Sequence, residues 1–125
     1  LNGTLEINAN ALKALPAFSS HIISKHFSKN NTRNITLNTI SDRARNPLNQ
    51  ANKAETDIIN LFKNDKLKKE YFSDKNSEYY RYAKVLKIKK ACLECHSKRE
   101  DAPLFIQKRY DSAYDYKLGE VRGVL

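Results

Sequence analysis

Cys92-Leu93-Glu94-Cys95-His96 gathers both cysteines of the chain and one of its three histidines into five consecutive residues. Thiols three positions apart share one turn of helix, so each can add across a vinyl group of a single porphyrin while the adjacent imidazole reaches its iron. This C-x-x-C-H run is the pattern of covalent c-type haem attachment, with Cys92 and Cys95 as tethers and His96 as proximal ligand. A chain built this way folds around that turn, because the haem adds apolar surface that the rest of the core has to meet.

Three plainer readings compete for the same residues. A structural zinc needs four ligands, and only His21 and His26 remain to complete a set with the two cysteines, far upstream rather than in the usual H-x₃₋₅-H pairing downstream. A thioredoxin-like dithiol sits between a hydrophobic strand and a helix. Val85-Leu86-Lys87-Ile88 is a candidate for such a strand, but a histidine directly after the second cysteine suits haem better. Chance placement of two cysteines and a histidine in this order is the third reading, and the weakest.

Composition fits one small domain over residues 1–125, with 40% hydrophobic and 30% charged residues. That is a modest supply of apolar side chains, and a covalent haem would complete the core. The net charge of +9 is carried by runs such as Lys84, Lys87, Lys89 and Lys90, and further on by Lys98, Arg99, Lys108 and Arg109. A solvated basic face is the plain reading; haem propionates and anionic partners are the others. Nucleic acid is not an expected partner, since no RNP strand, GXXG loop, helix-turn-helix or finger pattern accompanies the charge. No stretch approaches the roughly 18 apolar residues of a membrane span, and no secretory leader is visible. Leu1 begins in mid-pattern and Val121–Leu125 reads as the middle of a strand. The expectation is therefore a domain cut from a longer chain, periplasmic or otherwise extracytoplasmic, and anchored in the inner membrane only through segments outside this sequence. An oxidising compartment also suits a cysteine pair.

Periodicity predicts a long first helix over residues 5–29, with Leu12, Leu15, Phe18, Ile22 and His26 at helical intervals and Pro16 bending or interrupting it. Ile35–Ile40 alternates like a short strand, and residues 42–49 form a loop before and around Pro47. A second helix over residues 51–64 is expected to bury Ile58, Ile59, Leu61 and Phe62. Residues 70–72 and 79–88 read as a hairpin about the turn-rich Ser73–Ser77, delivering the chain to the cysteine motif. Short helices follow at 92–96 and 103–108, then a strand at 118–125. The fold class is thus α+β, a mainly antiparallel sheet covered by helices.

Several motifs occur in a fixed order: Arg45-Asn46-Pro47-Leu48-Asn49, Glu55, Ala91 to His96, Ala102-Pro103, and Tyr116-Lys117-Leu118-Gly119-Glu120-Val121-Arg122-Gly123. In this combination the chain resembles the haem-c domain family of PAS-like fold, over about residues 16–125. Its members are extracytoplasmic sensor domains of bacterial chemoreceptors and histidine kinases, or small single-domain cytochromes. The resemblance implies one haem c on Cys92 and Cys95, proximal His96, and Arg45 near the haem edge. The planar guanidinium of Arg45 would suit a propionate, with Arg43, Lys108 and Arg109 as weaker candidates; the alternative is that Arg45-Asn46-Pro47 only fixes a loop. Gly119 and Gly123 serve backbone geometry.

The sixth iron position separates the possible mechanisms. The chain contains no methionine, so His/Met ligation has no donor here. The resemblance places the distal ligand on the first helix near Phe18, which cannot coordinate iron. His21 is the distal candidate and His26 the runner-up, about 140° apart around a helix and so not usable together; a site open to NO, CO or O2 is the third option. The expected function is non-enzymatic. It is a haem sensor of redox state or a diatomic gas, acting on a signalling module elsewhere in the full-length chain, possible as a homodimer. The alternative is a small c-type cytochrome for electron transfer.

Overall fold

Tyr82–Lys87 has the β-branched and aromatic content of a half-buried strand and pairs antiparallel with Glu70–Phe72, as the sequence predicts. In this computed structural model, which describes residues 16–73 and 80–125, these are β1 (Glu70–Phe72) and β2 (Tyr82–Lys87), with Tyr71 opposite Ala83. The turn expected between them falls largely outside the described residues. β3 (Val121–Val124) pairs antiparallel with the other edge of β2, giving a three-stranded sheet in the order β1-β2-β3. The register breaks between Leu86 and Lys87, where Val124 faces Val85 but Val121 faces Lys87.

The chain divides into two compact units, Leu1–Thr39 and Ile40–Leu125. In the larger, a helix packs on the sheet. Asn52 caps it by accepting from the Glu55 amide at 2.9 Å while the Glu55 carboxylate accepts from the Asn52 amide at 2.8 Å. The capping box starts α2 (Lys53–Lys63), and Ile58, Ile59 and Phe62 turn inward onto Ala83, Val121 and Val124. Leu61, expected in that core, is half-buried, and its carbonyl accepts the amides of Lys66 and Leu67 that close the helix. The architecture is a mixed α+β arrangement of helices with an antiparallel sheet.

The smaller unit holds α1 (Pro16–Asn30). Of the long helix expected over residues 5–29, the portion before Pro16 lies outside the described residues. Ile22 and His26 of the anticipated apolar stripe are exposed on α1, as are Ile23 and Phe27, while Ser24 is buried; Leu12 and Leu15 of that stripe lie outside the described residues. The strand anticipated at Ile35–Ile40 does not form. Its amides are taken by side chains instead, that of Ile35 by Asn31 Oδ1 at 2.9 Å and that of Leu37 by Ser28 Oγ at 2.8 Å. Only Ile40, already in the larger unit, makes a bridge, exchanging hydrogen bonds with Val124.

That bridge explains Gly123. A Cβ added there would stand 2.1 Å from the Ile40 carbonyl oxygen. Gly123→Ala is expected to lower stability by about 1–3 kcal/mol, the usual cost of forced overpacking. Urea unfolding should show an earlier midpoint at unchanged slope; an unmoved midpoint would mean that residue 40 yields freely.

Candidate functional site

β2 runs directly into the cysteine motif. Beyond Lys87, the Ile88 amide donates to the Glu120 carbonyl and the Ile88 carbonyl accepts from the Gly119 amide, each at 2.8 Å. Gly119 adopts φ +81°, a left-handed turn that favours glycine. A 3₁₀ turn at Lys90–Cys92 then leads into α3 (Leu93–His96), followed by a second 3₁₀ turn at Arg99–Asp101 and by α4 (Leu104–Arg109).

Both thiols are free and half-buried. They lean on different clusters: Cys92 packs against the group of Ile88, Ala113 and Tyr116, and Cys95 against Ala102, Ile106 and Tyr114. Burial pushes the Cys95 thiol above its ordinary pKa, opposed by Arg45 and reinforced by Glu94. A cysteine kept protonated in this way is a poor redox nucleophile, which weighs against the dithiol reading. Among the described residues, no three His, Cys, Asp or Glu side chains come together as metal ligands.

His96 is held by its ring. Its Nδ1 lies 2.8 Å from the Ala113 carbonyl oxygen, which can only accept, so Nδ1 carries the hydrogen and Nε2 keeps its lone pair. Burial drives its pKa down to about 4, with the Ala113 bond opposing and Arg45, Arg122 and Arg43 adding to the depression. The imidazole is therefore neutral at physiological pH, the form that ligates a metal. Tyr116 meets its ring edge-on at 5.7 Å.

The acceptor belongs to a strained strap, residues 112–116, in which Ala113 and Asp115 adopt φ of +62° and +63°. Left-handed backbone costs a non-glycine residue roughly 1–2 kcal/mol, so the strap has to be tied down. The Asp115 amide donates to the Ser97 carbonyl at 2.9 Å and the Tyr116 amide to the His96 carbonyl at 3.1 Å. Arg43 donates through Nη2 to the Tyr114 carbonyl at 2.6 Å, lies 4.1 Å above the Tyr116 ring and pairs with Glu120 at 3.2 Å. Arg45 donates from Nε to the Ser112 carbonyl at 3.2 Å, and from Nη2 to the carbonyls of Cys95 at 2.8 Å and Ala113 at 3.0 Å. Its guanidinium lies 4.7 Å from the Tyr114 ring centre, and burial draws its pKa below the usual arginine value.

Five residues singled out from the sequence thus converge: Cys92, Cys95, His96, Arg43 and Arg45. Arg109, exposed on α4, lies 5.8 Å from the Tyr110 ring, which Arg45 approaches at 5.3 Å, and Lys108 is exposed beside it. His21, half-buried, and His26, exposed, belong to α1 in the smaller unit. Sequence reasoning missed Ala113 and its strap, because an alanine in left-handed backbone leaves no mark in composition or periodicity.

A family model described as Tll0287-like matches residues 2–125. The chain belongs to the Tll0287-like family. Its fold is similar to that in "Crystal structure of the cyanobacterial heme-protein Tll0287", with a TM-score of 0.77 at 23% identity, covering 99% of this chain and 77% of that one. No curated protein matches the chain.

Membership in the Tll0287-like family leaves the strap open to a direct check. Val at position 113 would combine left-handed backbone with a β-branched side chain. Ala113→Val is expected to destabilise the protein by at least about 1–2 kcal/mol, seen as a lower thermal midpoint. An unchanged midpoint would show that the strap is not held as described.

Proposed function

We propose that this member of the Tll0287-like family is a c-type haem domain of PAS-like fold that works outside the cytoplasm as a sensor. The observation that carries the proposal is the bond from His96 Nδ1 to the Ala113 carbonyl, which leaves a neutral Nε2 directly after the unpaired thiol of Cys95 on α3, with the second thiol, Cys92, at the end of the preceding 3₁₀ turn. In support, the solved protein of similar fold is described as a heme-protein.

The residues present fit the group. Cys92 and Cys95 would form the thioethers and His96 Nε2 the proximal bond. When bound, haem supplies a one-electron couple and an iron able to take small diatomic ligands. Cys92 and Cys95, each backed by an apolar cluster, would fix the position of the ring. Arg45 commits three of its five N–H groups to carbonyls, and the two on Nη1 remain for a propionate.

Sensing is preferred to simple electron transfer on the resemblance to extracytoplasmic sensor domains and on the distal side. With no methionine in the chain, His21 or His26 is the remaining imidazole donor, and both lie on α1. A donor that binds or releases with iron charge or gas would bias the helix carrying it, and through it a signalling module in a longer, membrane-anchored chain. A specific observation favours the second reading, a small cytochrome: Lys84, Lys87, Lys89 and Lys90 are all exposed next to the motif and would attract an acidic redox partner.

Protein exported to a periplasm with haem-attachment machinery should carry haem that survives denaturing electrophoresis. Cys92→Ala with Cys95→Ala should be colourless and poorly folded; a well-folded colourless variant would remove the haem from the core. Optical spectra of the reduced protein with CO and NO, beside His21→Ala and His26→Ala, separate the two functions. Ready gas binding supports the sensor. A low-spin, gas-inert spectrum unchanged in both variants would exclude these histidines and favour the carrier. Absence of covalent haem in the unaltered chain would overturn the whole reading.

A further inference from the structure

One nitrogen links the helix that carries the imidazole to the segment that supplies its acceptor. Arg45 Nη2 donates at 2.8 Å to the carbonyl of Cys95, the residue before His96, and at 3.0 Å to the carbonyl of Ala113, the oxygen that His96 Nδ1 also meets at 2.8 Å. Its Nε reaches one residue further back, to Ser112. Apart from the His96 ring itself, the other ties on the strap act C-terminal to Ala113, at Tyr114, Asp115 and Tyr116. Ala113 is in left-handed backbone, so without a tie on its own side the strap would relax toward ordinary φ and swing its carbonyl away from the ring.

We infer that Arg45 is a positioning residue for the proximal ligand: by bridging the Cys95 and Ala113 carbonyls it fixes the His96 ring against its hydrogen-bond acceptor, and so sets the donor strength of Nε2. This rests on the proposal that His96 ligates haem iron. A firm Nδ1–H···O bond makes the imidazole a stronger donor, which favours the oxidised iron and lowers the reduction potential. Lysine cannot replace the bridge, because an ammonium is a point charge without the planar fork that spans three carbonyls. Loss of the bridge and loss of the charge have opposite signs. A weaker Nδ1 bond raises the potential, whereas removing a nearby cation lowers it by favouring the more positive, oxidised iron.

The test uses the haem-loaded protein with Arg45→Lys and Arg45→Gln, reading covalent haem content, midpoint potential and exchange of the His96 Nδ1 proton by NMR in the diamagnetic ferrous form, with CO if needed. Arg45→Lys, with charge kept, should raise the potential. In both variants the Nδ1 proton should exchange about tenfold faster, the scale of losing one ordinary buried hydrogen bond. An Arg45→Lys protein with the potential and exchange of the parent would overturn the inference, as would an Arg45→Gln protein with a lowered potential and unaltered exchange, since charge alone would then be acting. If the variants fail to fold, the unaltered protein decides: two donors on one carbonyl oxygen require a nuclear Overhauser contact between the Arg45 Nη2 protons and His96 Nδ1–H, and its absence ends the proposal. Haem content separates the two claims. Protein without covalent haem refutes the haem reading, and loaded protein with a silent Arg45 refutes only this one.

Discussion

The carbonyl of Ala113 is the point on which the site depends. It accepts from the His96 ring and from the Arg45 guanidinium, and it is aimed at both only because residues 113 and 115 stand in left-handed backbone. Strain at a functional site persists where the surroundings over-determine it. Here two arginines, the Tyr114 and Tyr116 rings they lie on, and the carbonyls of His96 and Ser97 do so. The arrangement also fixes chemistry, since an acceptor on Nδ1 decides which ring nitrogen remains a base.

Packing serves the same end. The sheet and α2 make the main core, while the cysteines rest on satellite clusters: Cys92 on Ile88 with the strap's Ala113 and Tyr116, Cys95 on Ala102, Ile106 of α4 and the strap's Tyr114. The sheet's contribution is placement. β2 delivers the chain to the motif, and the hydrogen bonds of Ile88 with Gly119 and Glu120 bring the segment before β3 back beside it. Cys92, in the 3₁₀ turn, and α3, too short to be stable alone, are thereby anchored upstream by the ladder and downstream by the strap amides of Asp115 and Tyr116 on the Ser97 and His96 carbonyls.

What the sequence made legible is what local chemistry determines. The cysteine motif announces itself by spacing, and α2 by a capping box with a 3.6-residue apolar pattern that buries Ile58, Ile59 and Phe62. The hairpin was readable from its β-branched and aromatic content. Ile35–Ile40 misled because alternation describes side chains, whereas the partners of its amides were decided by Ser28 on the preceding helix and Asn31 just beyond its end. Arg43 and Arg45 could be picked out as functional, but not their partners: carbonyls 50 to 71 positions away carry no signature of their own.

Charge at the site follows from that last point. Lysines populate the exposed surface beside the motif, while Arg45, half-buried, lies against the Tyr114 ring and donates to several carbonyls at once, as a flat, weakly hydrated cation can. Burial depresses the His96 pKa and Arg45, Arg122 and Arg43 add to it, and Glu120 on Arg43 is the carboxylate paired with them among the described residues. Three cations around a neutral imidazole leave a positive field. An occupant with acidic groups relieves it, and a haem with two propionates is such an occupant. On the proposed function, the arginines around His96 would thus also favour an anionic occupant.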